Sequence, residues 1–232
     1  MPNWCSQELS VYGHHDEINR FWNKIQGDDR QHIKLTNLMP MPSILEGTTS
    51  PTPRDQQGKE AFKATGYDNW YDWANAVWGT KWGDCDTQLE DPVKINAEFS
   101  RIEGRFETAW SPFYTSFWEA VTAEYNIAVI ISMIEEADFY AGVQAFFEGA
   151  TIYENVDDID YPKEITDLCY ADNDDAMDQY WEAKAEYQSE YIDNQRDEAI
   201  NALRNATEGD ATWSSWNSHS LVMHPSRELP TP

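Results

Sequence analysis

Asp174, Asp178, Glu182, Glu186 and Glu190 follow one another at intervals of four, and Asp193 and Asp197 continue the row after a one-residue slip. Four residues of helix rise about 6 Å and return to nearly the same angle, so these carboxylates predict a stripe along one helix face. Each like-charged pair four apart destabilises an isolated helix by roughly 0.2–0.5 kcal/mol. Four such pairs would cost on the order of 1–2 kcal/mol, which Lys184 and Arg196 offset only in part. The chemistry on offer is a regular row of negative charge, the pattern one strand of a nucleic-acid backbone also presents. Such a stripe can compete for a basic groove that holds nucleic acid, with Tyr180 or Trp181 as an anchor at the contact. The plainer alternative is a solvated face whose other side packs through Met177, Tyr180, Tyr187 and Tyr191.

A second cluster is aromatic: Trp70, Tyr71, Trp73, Trp78 and Trp82, with Lys81 among them. Aromatic faces beside an ammonium can stack a base or nucleotide, which makes Trp70, Tyr71, Trp78, Lys81 and Trp82 a candidate ligand site. Alternatively Trp70, Trp73 and Val77 are the core stripe of a helix, with Trp78 and Trp82 sealing the turn after it. Asp68 and Asp72 would work against a phosphate.

Catalytic and metal motifs are weaker. Asp172–Asp175 begins like a calcium loop, but Met177 stands where glycine is required and Ala183 where the bidentate Glu belongs. His14 and His15 are adjacent, so they diverge and read as surface histidines, and no HxxxH or HExxH exists. Glu135, Glu136 and Asp138 can hold a divalent ion or do acid–base work, though a polar hairpin turn explains them more simply. Asp157, Asp158 and Asp160 are a loose cation site at best. Cys85 lies between Asp84 and Asp86, which raises its pKa and makes it a poor nucleophile. No phosphate-binding glycine motif or nucleophile elbow occurs. The sequence therefore implies no catalytic residue, no metal and no cofactor.

The charge distribution favours the acidic reading. The chain has 232 residues and a net charge of −26; residues 1–83 carry 10 Asp/Glu and 8 Lys/Arg, whereas residues 84–232 carry 32 and 8. Such a surface repels nucleic acids and anionic membranes and attracts basic proteins within roughly a Debye length. With 41% apolar and 14% aromatic residues the chain can still bury a core. The longest apolar run, Ile127 to Ile134, is too short to span a bilayer. The first residues lack a basic segment followed by an apolar one, so no secretory signal is expected. Cys5, Cys85 and Cys169 are widely spaced thiols that suit a reduced cytosol.

These residues need elements to position them. Leu9 and Val11 alternate in a strand that ends at Gly13; Ile18, Phe21, Trp22 and Ile25 then mark an amphipathic helix closed by Gly27. Ile33 to Pro42 reads as extended, Glu46 to Gly58 as loop, and Lys59 onwards as a helix carrying Trp70, Trp73, Ala74 and Val77 to Gly79. Val93 to Phe99 and Phe106 to Trp110 alternate as strands. Ser111 and Pro112 open a helix that Asn126 closes. Ile127 to Ile134 and Phe139 to Phe147 form an antiparallel pair. Asp172 to Asn205 reads as one long helix.

Three blocks match a known family: Pro2–Ser6 running into Leu9–Gly13, Trp70–Trp73 through Trp78–Trp82, and Glu107–Pro112. With Leu38–Pro42 they make residues 1–150 resemble the YubB-type ferredoxin-like domain of phages and conjugative plasmids. The resemblance implies a ferredoxin-like α/β sandwich and a mobile-element origin, with no established activity. The expected protein is thus α+β: a ferredoxin-like antiparallel sheet with helices on one face over residues 1–160. An acidic helical extension over 161–208 and a flexible tail over 209–232 complete it. Its expected role is non-enzymatic: binding and inhibiting a host nucleic-acid-handling or anti-phage defence protein in the cytoplasm, without touching nucleic acid or membrane directly. The alternative is a small-ligand binder, for example for a nucleotide signal, that uses the Trp-rich region.

Overall fold

The computed structural model describes residues 2–26, 32–51, 56–137, 139–170, 174–208, 210 and 212–217. Its centre is strand β1 (Trp4–His14), which alternates as the sequence predicts and is followed by α1 (His15–Gln26). The inward residues of α1 are Ile18, Phe21, Trp22 and Ile25, all buried. Gly27, its expected stop, lies outside the described residues. A short 3₁₀ turn at Leu35–Leu38 interrupts the extended segment expected over Ile33–Pro42, and a second follows it at Ser43–Leu45. The helix expected from Lys59 to Gly79 is two helices, α2 (Gln56–Thr65) and α3 (Trp70–Val77). Gly66, with a φ of 81°, turns the chain between them.

Strands β2 (Asp84–Leu89), β3 (Val93–Lys94) and β4 (Phe99–Ala109) follow. The alternation from Val93 to Phe99 therefore spans a two-residue strand and a bend. Helix α4 (Thr115–Tyr125) starts later than Ser111, because the Ser111 hydroxyl donates to the carbonyl of Gly79 at 2.5 Å rather than capping it. Asn126 ends α4 in a left-handed conformation, φ 47°. Strands β5 (Ala128–Glu135), β6 (Ala141–Phe147) and β7 (Ala150–Asp157) form a meander. Helices α5 (Lys163–Cys169), α6 (Asp174–Ala206) and the single turn α7 (Ser214–Asn217) complete the described chain.

The seven strands make one sheet in the order β2-β4-β1-β5-β6-β7, with β3 beside β4 and every pairing antiparallel. Two cores lie on its two faces. Cys5, Leu9, Val11, Val129, Ile131 and Met133 point to one face, beneath α1, α3 and α4. Tyr12, Ala128, Ile130, Val143, Ala145 and Phe147 point to the other and are buried with Ile192, Ala199, Ile200 and Leu203 of α6. Helices therefore cover both faces, not one: the long helix expected as an extension forms the second layer. Trp213 and Trp216, assigned to the tail by the sequence, are also core residues, 0% and 2% exposed. Trp213 packs against Phe99 and Phe147 with ring centres 5.1 and 5.0 Å apart. The remainder of the expected tail, residues 218–232, lies outside the described residues.

Candidate functional site

The inner stripe of α6 determines which side its carboxylates face. Lys184, Ile192, Gln195, Ala199, Ile200 and Leu203 are buried at helical spacing. Arg196 fixes the helix against the sheet: one guanidinium nitrogen donates to Glu8 Oε2 at 3.1 Å and the other to Ser10 Oγ at 2.6 Å. From the far edge, Tyr153 donates its hydroxyl to Glu198 Oε2 at 2.8 Å. The segment entering α5 buttresses the first half, where Gln188 donates to the Tyr161 hydroxyl at 2.6 Å and the Tyr161 and Tyr187 rings lie 5.7 Å apart.

With α6 held in this way, Asp178, Glu182, Glu186 and Glu190 are all exposed on the outward side, as is Asp197, while Asp193 is half-buried. Asp174 begins the helix. The packing differs from the sequence expectation in one respect. Tyr187 and Tyr191 pack on the second core, but Met177 is exposed and Tyr180 only half-buried. Trp181 is 55% exposed, and its ring lies 5.0 Å from that of Tyr180.

The structure divides the Trp-rich block. Trp73 and Trp78 are core residues, 6% and 7% exposed, packed edge-to-face with ring centres 4.9 Å apart. Trp78 also donates its indole N–H to the Met39 carbonyl at 2.9 Å, so as a ligand contact it is corrected to a structural residue. Trp70 is half-buried against the core. Three of the expected residues do reach solvent together: the Lys81 ammonium lies 4.6 Å from the Trp82 ring centre and 5.8 Å from that of Tyr71. The sequence reading missed Trp4, whose ring is 6.1 Å from that of Trp82. Only the pairing of β1 with β4 brings the chain start to this corner, and no local pattern reports it.

The other candidates serve the fold. Glu135 is 1% exposed, and its Oε2 accepts the amides of Ala137 and Phe139 at 2.8 and 3.2 Å, tying the β5–β6 turn. Glu136 Oε2 accepts the Trp4 amide at 3.0 Å; Asp138 lies outside the described residues. His14 and His15 are half-buried rather than surface residues: the His14 ring is 4.2 Å from Phe99, and His15 bonds Ser100 Oγ at 2.7 Å. The Cys85 thiol has a raised pKa, first through burial and then through Asp84, Glu107 and Asp86. Among the described residues no group of three or more His, Cys, Asp or Glu side chains can hold a metal ion. Nor is any described helix long and apolar enough to cross a membrane.

No protein-family model and no curated protein matches the chain. One solved structure, a protein api92 from Yersinia pseudotuberculosis, is similar over 70% of this chain and 99% of that one, at 9% identity and a TM-score of 0.43. A likeness of that size says nothing of function.

Proposed function

We propose that this chain is a non-enzymatic phage or mobile-element protein with a ferredoxin-like core, and that it binds a basic, nucleic-acid-handling or defence protein of its host through α6. One observation carries the reading. Asp178, Glu182, Glu186 and Glu190 are exposed along one side of a 33-residue helix whose opposite side is fixed to the sheet. The row is thus pre-organised, which lowers the ordering cost of binding. Steering by −26 charges raises the encounter rate with a basic surface and suppresses direct contact with nucleic acid.

An affinity capture from bacterial lysate compares the wild type with a chain in which the ladder carboxylates are amides. The expected result is a nucleic-acid-binding protein held by the wild type alone, with an affinity that falls steeply as salt rises. Equal capture by both chains places the contact elsewhere. A second reading, a small-ligand site at Tyr71, Lys81, Trp82 and Trp4, is favoured by the Lys81 ammonium lying against two exposed rings. Quenching of tryptophan fluorescence by nucleotides, together with an amide variant that behaves like wild type, would make that reading the better one.

A further inference from the structure

Continued towards the start of α6, the line through its buried residues runs Met177, Trp181, Lys184, Gln188, Ile192, Gln195, Ala199, Leu203. Exposure falls along it: Met177 37% and Trp181 55%, then Lys184 8%, Ile192 9%, Ala199 0% and Leu203 0%. The first turn of the helix is covered instead at Ala176, 7% exposed and on another side, and the large Trp181 indole has more than half its surface uncovered. It is nevertheless held in place. The Lys184 ammonium lies 4.9 Å from the Trp181 ring centre and 5.8 Å from those of Tyr180 and Tyr161. Asp178, three residues before Trp181 and exposed, is its neighbour on the helix surface.

We propose that this corner is a receptor for an arginine of the basic partner, an inference that rests on the partner reading above. The guanidinium lies flat on the part of the indole that the Lys184 ammonium leaves uncovered and donates to the Asp178 carboxylate, whose charge offsets the repulsion from that ammonium. Arginine suits the corner better than lysine because its charge is planar and weakly hydrated, so it can stack and hydrogen-bond at once. Charge selects the occupant. A second copy would bring its own −26 charges and its own row of carboxylates against Asp178 and Glu182, whereas a basic segment is attracted.

Binding of fluorescently labelled oligo-arginine and oligo-lysine of equal length tests this, at near-physiological salt, with the full chain and three variants. The wild type should prefer oligo-arginine by roughly two- to fivefold. Trp181→Ala should lose that preference while keeping its affinity for oligo-lysine, and Trp181→Phe should keep part of it. The ladder amide variant should weaken for both peptides. Because Trp181 is exposed, its variants should keep the near-ultraviolet dichroism of a folded chain, apart from the loss of one indole. A preference that is absent, or that survives Trp181→Ala, overturns the receptor and leaves the acidic face standing. If neither peptide binds the wild type, the acidic face itself fails and the receptor with it. If sedimentation shows a wild-type dimer that Trp181→Ala dissociates, a second copy is the occupant and the inference is wrong.

Discussion

At the scale of single residues, the most perturbed thiol is Cys5. It is fully buried on β1, in register with Thr108 on β4 and Glu135 on β5. Burial pushes its pKa from 9.0 to about 11; hydrogen bonds from Tyr140 and Thr108 oppose the rise, and the Glu135 charge adds to it. Below the unfolded value the thiol keeps its proton in both states and contributes no pH dependence. Between the two values the unfolded chain releases the proton first, so stability falls as pH rises, by up to about 1.4 kcal/mol per unit. Urea unfolding at about pH 8 and about pH 10.5 should show this loss, and Cys5→Ala should lose less over the same interval. An equal loss in the variant would show that the thiol releases its proton alike in the folded and unfolded chain, so that folding does not raise its pKa. No local pattern announces Cys5, because its burial depends on strands about 100 and 130 residues away. Cys85 was legible because its acidic neighbours adjoin it in the chain.

At the scale of elements, legibility followed apolar period. Helix α1 repeats its apolar residues at i, i+3, i+4 and i+7, and β5 is a continuous apolar run, so both were plain. The edge strands β2 and β7 were not: Asp84–Leu89 is largely polar, and Ala150–Asp157 is half exposed, so neither has a clean alternation. Helix α6 was legible in extent, but its inward stripe uses Lys184, Gln188, Gln195 and tyrosines where aliphatic residues would have announced a buried face. Its outward stripe has a measurable cost. Glu182→Gln with Glu186→Gln removes the three like-charged i,i+4 contacts from Asp178 to Glu190. The double variant should therefore be more stable than wild type by about 0.6–1.5 kcal/mol at low ionic strength. Thermal unfolding should show the gain shrinking as salt screens the row. A variant no more stable than wild type would mean that the row is already compensated in the folded chain.

For the whole molecule, the α+β class, the antiparallel sheet and the long acidic helix were readable, whereas the second layer was not. Its partners on the sheet, such as Tyr12 and Phe99, lie in strands whose opposite face already accounted for one covered side. The Trp-rich block was half legible for the same reason. Helical period placed Trp73 in the core, but only tertiary pairing shows that Trp82 and Lys81 reach solvent beside Trp4.

The two-sided sheet also has a consequence for how the chain is made. A ribosome releases β1 first and the elements that cover its second face last, because β7 ends at Asp157 and α7 at Asn217. At about 5–20 residues per second, those last segments take roughly 3–12 s to emerge. During that interval Tyr12, Ile130, Val143 and Phe147 present a greasy plane to solvent, the kind of surface that chaperones bind. A chain ending at residue 160 makes the interval permanent: it should bind a hydrophobic dye and aggregate, while the full chain stays dark and dispersed. A dispersed, dye-silent fragment would instead mean that the nascent sheet shields itself and that α6 arrives only to present its charge.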